Sequence, residues 1–483
     1  MNQNKRSSLI AGLLLVCLSL GLCACTADTT PADTTAEVEN TLPALPQEPE
    51  EATVQEDTTE AQTEPAREST VWETETEEDP SSEGGTTNME EATSAIELNV
   101  NMSDLQDVMQ PIFDGTYVMK ETVMFLDKGD VKSLLYPIES ITSVTSYDGT
   151  VVYQEGQDYV LEDGKIRVTA NSTIPCITSD VYYNWPGSLL ITQHNGQNVN
   201  TFWGEGGPIQ WQVCVNYTHT VGWDGFVQEC RLDVYVGLVE KLQAGRDVTV
   251  LFYGDSITHG ANASYTYAPY QPPYTMMFTQ ALADLFNYTV EYVHVDLAAG
   301  VFDPPDQPYV GGDGSGGTIR YVNTAIGGWT SQNGLDNVQE FVCDQIQRYG
   351  CDLFVVGFGM NDGNVQVNIF KQIIKRMVAS ALRESPDTYV MLIATMVPNP
   401  TAVNGWYGNQ KDQEAALLTL ADEFQADGVG CAVARMTSVS RAVLERKEFL
   451  DYTGNNINHP NDFFGRIYAQ TLLQTLIGYE NMN

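Results

Sequence analysis

The feature that most restricts the fold of this chain is a change in its hydrophobic pattern near Arg246. From there to the C-terminus, short apolar runs of strand length alternate with longer amphipathic stretches. The first run, Val248–Tyr253, is followed by a predicted helix at Tyr274–Phe286. Alternation of this kind predicts a parallel sheet covered by helices on both faces. We therefore predict a three-layer α/β/α domain over residues 245–483.

The same pattern places further elements along this domain. Strands are predicted at Thr289–Val295, Ile319–Thr324, Asp352–Gly357, Tyr389–Thr395 and Gly430–Ala434. Helices are predicted at Leu335–Tyr349, Val365–Arg383, Gln413–Phe424, Val439–Lys447 and 462–479. Open parallel sheets bind ligands at the carboxyl ends of their strands. We therefore expect catalytic residues in the motifs that directly follow the predicted strands.

Residues 96–244 have a different pattern, with period two and frequent turns. Short runs such as Tyr159–Leu161 and Ile166–Val168 flank a Glu-Asp-Gly turn, and further strands are predicted at Val181–Asn184 and Leu232–Val236. Regular short strands with Gly and Asp turns predict an all-β, sandwich-like domain. Its tryptophans either pack its core or form a carbohydrate-binding surface; they are Trp185, Trp203, Trp211 and Trp223.

Residues 1–25 are predicted to be an export signal. Lys5 and Arg6 precede an apolar run that is too short to span a membrane comfortably. The run ends Leu22-Cys23-Ala24-Cys25, which resembles the lipobox of bacterial lipoproteins. The resemblance implies lipidation at Cys25 and folded domains outside the cell. An ordinary cleaved signal is the alternative.

Acidic residues are concentrated in a second segment, residues 26–95. It holds 20 acidic residues and one basic residue, Arg67, together with 16 Thr and recurrent Pro. This composition buries too little apolar surface to offset chain entropy, so we predict a disordered tether. With a net charge of −41, the chain as a whole is a poor match for a nucleic-acid backbone, and we predict no such partner. A membrane is predicted as a partner through the anchor at Cys25 alone.

Polar motifs follow three of the predicted strands and precede the last helix. They are Gly254-Asp255-Ser256-Ile257-Thr258, the stretch Asn323–Thr330, the stretch Gly357–Asp362 and Asn456-Ile457-Asn458-His459-Pro460. A serine in a tight strand-to-helix turn is exposed, and nearby backbone N–H groups can stabilise an oxyanion. Each motif alone is compatible with a turn or a helix cap, so the signal lies in their order and placement.

In this order the four motifs resemble those of the SGNH/GDSL hydrolase family of esterases and lipases. The signature positions of that family match the nucleophile Ser256, the glycine Gly328, the asparagine Asn361 and the histidine His459, while Gly254 and Asp255 complete the first motif. The resemblance covers residues 248–483. It implies a flavodoxin-like fold and an ester hydrolase that works through an acyl-enzyme. It also implies an oxyanion hole made by the N–H groups of Ser256 and Gly328 and the side chain of Asn361.

The five histidines of the chain narrow the choice of general base. His194 and His219 lie in the β domain, and helical geometry would point His259 away from Ser256. His294 lies in a buried strand pattern and is predicted to be a core residue. Elimination and the motif therefore both select His459.

The chain departs from the family pattern at one position. The family carries Asp three residues before the histidine, where this sequence has Asn456. A carboxylate fixes the imidazole tautomer and stabilises the imidazolium, whereas an amide oxygen does only the first. We predict a Ser–His dyad in which Asn456 or a backbone carbonyl orients His459. Replacement of the missing acid by Asp451 or Asp462 is the alternative.

Two other features lie close to these motifs in the sequence. Tyr265, Tyr267, Tyr270 and Tyr274 alternate with prolines and either line a sugar-stacking wall beside Ser256 or pack on themselves. The Gly-rich stretch 311–317 lacks the Gly-Lys-Ser/Thr ending of a phosphate loop and is predicted to be a flexible surface loop near the active site. No His/Cys spacing indicates a metal site, and no cofactor is predicted.

Together these features predict a surface-tethered serine esterase that removes acetyl groups from polysaccharide. A lipase, lysophospholipase or thioesterase with the same residues is one alternative. A non-catalytic carbohydrate-binding surface protein is another. A long apolar groove would favour lipid, whereas an open aromatic cleft would favour sugar.

Overall fold

A computed structural model describes residues 98–183, 192–194, 197–199, 207–297, 300–401 and 408–481. The signal and lipidation site predicted at residues 1–25, the tether at 26–95, Trp185 and Trp203 lie outside these residues. Residues 95–483 form one compact unit. Among the described helices, none combines the length and apolarity needed to cross a membrane.

Antiparallel sheets form the first part of this unit, as predicted. Their strands are β1 Tyr117–Met124, β2 Val131–Lys132, β3 Ser140–Ser146, β4 Val152–Tyr153, β5 Tyr159–Glu162, β6 Lys165–Val168, β7 Thr192–His194, β8 Gln197–Val199 and β9 Gln212–Thr218. They pair in the orders β1-β9-β3-β4, β2-β6-β5 and β7-β8. We refer to residues 98–235 as the antiparallel part.

Two strand predictions in this region are wrong. The first, Val181–Asn184, overlaps a short helix, α1 (Ser179–Tyr183), which buries Tyr182 in a small apolar cluster. The second, Leu232–Val236, is a turn that leads into helix α2 (Val236–Gln243). In that turn Tyr235 is fully buried and donates its hydroxyl to the carbonyl of Val390, so contacts across the fold decide the local conformation.

A seven-stranded sheet organises the second part. Its strands are β10 Val248–Gly254, β11 Thr289–Tyr292, β12 Tyr309–Val310, β13 Thr318–Asn323, β14 Leu353–Gly357, β15 Tyr389–Ala394 and β16 Cys431–Arg435. Their order is β12-β11-β13-β10-β14-β15-β16. All neighbouring pairs are parallel except β11–β12.

Helices α3–α10 connect and follow these strands. They are α3 Ser256–His259, α4 Tyr274–Phe286, α5 Ser331–Asp336, α6 Asp344–Tyr349, α7 Val367–Glu384, α8 Gln410–Ala426, α9 Met436–Leu444 and α10 Asp462–Leu476. The helix predicted at Leu335–Tyr349 is divided, with a π-helical segment, Gln339–Cys343, between α5 and α6.

The central strand β10 shows why the sheet is covered on both faces. Val250 and Phe252 belong to a hydrophobic cluster with residues of α2, α4 and α10. Leu251 and Tyr253 belong to a second cluster with residues of α7 and α8. Side chains alternate across a strand, so each face of β10 has its own core. The predicted three-layer α/β fold is confirmed.

The first three motifs lie at the carboxyl ends of strands β10, β13 and β14, but the Gly-rich stretch 311–317 does not lie at this edge. Its Gly317 precedes β13 and packs beside Gly245, which precedes β10, so the stretch sits at the opposite, amino-terminal edge of the sheet. A Cβ at Gly311 would lie 2.2 Å from the backbone of Ala283. The predicted placement of this surface loop near the active site is therefore wrong.

The antiparallel part and the α/β part share one core. The first cluster contains Val123 and Val213 together with Phe464 of α10. A buried ion pair also joins the two parts, with Lys447 Nζ 2.6 Å from Glu121 Oε1 and both side chains 0% exposed. Glu121 in addition accepts hydrogen bonds from the Tyr217 hydroxyl and from the N–H of Leu135.

Removal of one partner of this pair should destabilise the protein strongly. We expect Lys447→Met to lower the free energy of unfolding by about 3–5 kcal/mol, because it leaves the Glu121 carboxylate buried without its cation. Urea denaturation followed by fluorescence measures this change. The double variant Lys447→Met/Glu121→Gln should recover part of the loss, and Lys375→Met, at an exposed pair with Glu423, should change little. Equal effects at the two lysines would contradict the prediction.

Candidate active site

Ser256 is placed by the tight turn between β10 and α3. Asp255 is the N-cap of α3, and its Oδ1 accepts the N–H of Ile257 at 3.0 Å. A Cβ at Gly254 would lie 2.4 Å from both the Gly357 oxygen and the Thr258 hydroxyl, so this strand end requires glycine. Ser256 therefore begins a helix, where its own N–H has no intrahelical partner.

Ser256 and His459 form a hydrogen-bonded pair. The Oγ of Ser256 lies 2.8 Å from Nε2 of His459, although 203 residues separate them in sequence. Ser256 is 8% exposed and His459 is 9% exposed, so the pair is shielded from bulk water and keeps a small accessible face. This is the arrangement of a nucleophile and its general base.

The other ring nitrogen of His459 contacts Asn262. Its Nδ1 lies 2.6 Å from Oδ1 of Asn262, whose Nδ2 donates to the carbonyl of Gly454 at 3.1 Å. A backbone carbonyl can only accept, so the amide nitrogen faces Gly454 and the amide oxygen faces the ring. Nδ1 therefore carries the proton, and Nε2 is the unprotonated nitrogen that accepts from Ser256.

Asn456 does not fill the orienting position that we predicted for it. Its Nδ2 donates to the hydroxyl of Tyr182 at 2.8 Å, and its Oδ1 accepts from Asn399 at 3.2 Å. The two alternative acids are engaged elsewhere as well. Asp451 accepts the N–H of Met124, and Asp462 accepts both the N–H and the hydroxyl of Ser264.

Sequence reasoning missed Asn262. It lies six residues after Ser256, in the turn that follows α3, with a left-handed φ of 65°. Asparagine adopts this conformation more readily than most residues, which is a weak local signal for a turn. Nothing in the sequence pairs this position with a histidine 197 residues away.

The predicted oxyanion donors lie in turns that follow neighbouring strands. Gly328 has a φ of 77°, and a Cβ at the adjacent Gly327 would lie 3.9 Å from Cβ of Ser256, so the Gly-Gly turn faces the nucleophile. The Nδ2 of Asn361 donates one hydrogen to the carbonyl of Trp329 at 3.0 Å. This bond fixes the amide beside the Gly-Gly turn, and its second hydrogen can face an oxyanion.

Backbone hydrogen bonds tie these turns to that of Ser256. The N–H of Ile326 donates to the carbonyl of Gly254 at 3.0 Å, and the N–H of Asp255 donates to the carbonyl of Gly357 at 3.1 Å. The first three motifs are therefore held together by the sheet, whereas His459 arrives on the segment before α10.

Burial sets the protonation state of the base. It lowers the pKa of His459 to about 4, and the nearby His259 contributes in the same direction. The imidazole is therefore neutral at neutral pH and ready to accept a proton. Its conjugate acid is correspondingly strong and would release the proton readily to a leaving group.

Two buried carboxyl groups lie beneath the site. Burial, with a smaller effect from Asp362, raises the pKa of Asp255 to about 7. Burial also raises the pKa of Asp362, which accepts the N–H and hydroxyl of Ser331. These contacts fix the Ser256 turn and the start of α5.

The remaining described histidine side chains have other surroundings. His259 packs edge-on against Phe302, with ring centroids 6.0 Å apart. The prediction that His294 is a core residue is wrong: its side chain is 47% exposed and lies 3.0 Å from Asp303 and 3.4 Å from Asp306. His219 is buried and stacks on Tyr136 in the antiparallel part.

Comparison with known protein families finds a match in the second part of the chain. Residues 252–463 match the model of the GDSL-like lipase/acylhydrolase family. This range contains all four predicted signature residues. No curated protein sequence matches the chain.

Solved structures with some similarity include both sugar esterases and a lipase. A two-domain esterase active on acetylated mannans is 18% identical, with 52% of this chain and 54% of that one covered and a TM-score of 0.35. The match thus spans about half the length of that esterase. An acetylxylan esterase from Geobacillus stearothermophilus is 15% identical (49% and 96% covered, TM-score 0.34). A lipase/acylhydrolase from Enterococcus faecalis is also 15% identical (47% and 94%, TM-score 0.31).

The Asn262 contact predicts a distinctive pH dependence. Because neutral His459 is the reactive form and its pKa is about 4, the acidic limb of kcat/KM should have its midpoint near that value. Asn262→Asp places a carboxylate beside Nδ1, which favours the imidazolium, raises the pKa of His459 and moves the limb to higher pH. Hydrolysis of 4-nitrophenyl acetate measured from acid to neutral pH tests this expectation.

The matched control is Asn456→Asp, at the position where the family carries its acid. It should move the acidic limb much less, because Asn456 contacts Tyr182 and Asn399 instead of the ring. A limb that moves in Asn456→Asp and stays in place in Asn262→Asp would show that the structure assigns the wrong amide to His459.

Proposed function

We propose that this chain is an ester hydrolase that removes acetyl groups from polysaccharide through an acyl-enzyme on Ser256. The match of residues 252–463 to the GDSL-like lipase/acylhydrolase family supports the reaction class. The proposal rests on the Ser256–His459 contact for the chemistry and on two exposed tyrosines of the loop that follows Asn262 for the substrate class.

In the first half of the reaction, His459 Nε2 takes the proton of Ser256 as Oγ attacks the acyl carbonyl. The oxyanion that forms would be held by the N–H groups of Ser256 and Gly328 and by the side chain of Asn361. Removal of one such donor typically costs about 3–4 kcal/mol of transition-state stabilisation. Collapse breaks the ester bond, and the sugar hydroxyl leaves with the proton from His459.

In the second half, water replaces the sugar. His459 takes a proton from the water, the hydroxide attacks the acetyl-serine carbonyl, and Ser256 recovers its proton as acetate leaves. Asn262 holds the Nδ1 proton throughout, which keeps Nε2 directed at the reacting oxygen. Its amide dipole stabilises the imidazolium less than a carboxylate would, in keeping with the low pKa of His459.

The observation that favours sugar is a pair of exposed tyrosines on the loop that follows Asn262, the residue in contact with His459. Tyr267 is 38% exposed and Tyr270 is 66% exposed. The loop is held in place at Asp462, which accepts from Ser264 through its carboxylate and from Gln271 through its carbonyl. Aromatic rings on an anchored loop offer a flat surface for sugar rings.

The other two tyrosines of the predicted wall do not belong to this surface. Tyr265 packs against Phe302 with ring centroids 5.4 Å apart. Tyr274 is buried in α4 and packs against Tyr468. The substrate surface that we propose is therefore limited to Tyr267 and Tyr270.

The proposed setting is the cell surface. Lipidation at Cys25 would anchor the chain, and the acidic tether of residues 26–95 would carry the hydrolase away from the membrane. A neutral acetylated polysaccharide suits the strong negative charge better than a polyanion does. Cys25→Ser should release the protein from the membrane fraction into the medium, and unchanged retention would count against the anchor.

Substrate release assays test the proposal directly. We expect an organophosphonate to label Ser256 and acetate to be released from acetylated xylan or mannan faster than fatty acid is released from phospholipids. Ser256→Ala is the control and should lose both label and turnover. Preferential release of fatty acid would instead support the lipase alternative.

The tyrosine loop gives a sharper test of the substrate class. Tyr270→Ala should raise KM for acetylated polysaccharide and leave turnover of 4-nitrophenyl acetate unchanged, because the small ester has no sugar to stack. Stacking on one aromatic ring is worth roughly 0.5–1.5 kcal/mol, so KM should rise by about 2–10-fold. Tyr270→Phe keeps the ring and should resemble the wild type. An unchanged KM in Tyr270→Ala would exclude this surface.

A further inference from the structure

We propose that the antiparallel part positions His459 and that Gln212 of β9 is the residue through which it does so. The segment concerned, residues 447–461, joins α9 to α10 and carries His459; we refer to it as the histidine loop. This inference rests on the ester hydrolysis proposed above and is independent of the acyl group or sugar.

Gln212 forms hydrogen bonds with the histidine loop on both sides of His459. Its Nε2 donates to the carbonyls of Leu450 at 2.8 Å and Thr453 at 2.9 Å. Its Oε1 accepts from Nδ2 of Asn461 at 3.0 Å. The side chain is 1% exposed, and both its polar atoms are directed to the loop. Because one carboxamide bonds to residues before and after His459, these three hydrogen bonds fix the distance between the two ends of the loop.

Thr453 connects Gln212 to His459 through hydrogen bonds. Its Oγ1 donates to the carbonyl of His459 at 2.9 Å, and the N–H of Gly454 donates to the same carbonyl at 2.9 Å. Asn455 completes the turn, because its Oδ1 accepts the N–H of His459 at 3.1 Å. The backbone of the base is therefore tied to the residue that Gln212 holds.

Other buried contacts from the antiparallel part act on the same loop. The hydroxyl of Thr122 donates to the carbonyl of Asp451 at 2.6 Å and accepts from Asn461 at 2.9 Å. Lys447 forms the buried pair with Glu121, and the hydroxyl of Tyr182 accepts from Asn456. These contacts come from β1 and α1, so the loop rests on several elements of the antiparallel part.

The position of His459 needs this external support. Ser256, Gly328 and Asn361 follow neighbouring strands and are placed by the sheet, whereas the histidine loop has no strand of the sheet directly before it. A small shift of the loop would lengthen the 2.8 Å contact between His459 and Ser256. Misplacement of a catalytic group by about 1 Å can lower the rate by about 100-fold. The antiparallel part therefore belongs to the structure that holds the catalytic residues in place.

Variants of Gln212 in the full chain test the proposal. Gln212→Met keeps most of the volume and removes all three hydrogen bonds. We expect kcat for 4-nitrophenyl acetate and the rate of organophosphonate labelling of Ser256 to fall together by up to about 100-fold, with KM little changed. Both rates are measured well below the unfolding temperature of each variant. Gln212→Asn, which keeps a neutral carboxamide and shortens the side chain by one methylene, serves if Gln212→Met does not fold.

The matched control is Asn216→Ala on the same strand. Asn216 bonds to Ser143 and to the N–H of Lys120, both within the antiparallel part, so this variant should keep wild-type rates even if it is less stable. Wild-type rates in a folded Gln212 variant, or an equal loss in Asn216→Ala, would overturn the positioning role. A wild-type protein without label or turnover would instead contradict the ester hydrolysis itself.

Discussion

The hydrogen bond between Nδ1 of His459 and the amide oxygen of Asn262 determines what the rest of the site can do. It fixes the tautomer, and the tautomer leaves Nε2 free to accept the proton of Ser256. The bond itself depends on the carbonyl of Gly454, which accepts from the other end of the amide and prevents the reverse orientation. The Asn262 amide, oriented by the Gly454 carbonyl, thus takes the place of the carboxylate that the family pattern leads one to expect.

An amide in this position changes the energetics of the base. A carboxylate would hold the pKa of the histidine up, whereas here burial lowers it to about 4. His459 is then a weak base that remains neutral in acid, and its protonated form returns the proton readily. The proposed ester substrate is compatible with such a weak base, because an alcohol leaving group departs more easily than the amine of an amide bond.

The antiparallel part contributes to the same geometry. Its core is continuous with one face of the seven-stranded sheet, and its buried polar side chains hold the segment that carries His459. Three features position the catalytic residues. Two of them lie in the α/β part: the turns at the strand ends and the turn that contains Asn262. The third, the support of the histidine loop, crosses between the two parts.

The sequence by itself determined the layered fold and most of the strands, because the hydrophobic period is a local property of the chain. The four signature residues follow from the family resemblance of motifs that are themselves local. Ser256 and His459 were predicted and are in contact, while the roles of Gly328 and Asn361 remain predictions placed in the expected turns. Only the tertiary structure decided which amide meets His459, and it replaced Asn456 by Asn262. The tertiary structure also decided that His294 faces solvent and that Gln212 forms hydrogen bonds with the histidine loop. Such pairings join residues about 200 or more apart in sequence, and side-chain hydrogen bonds over that separation leave no periodic signal along the chain.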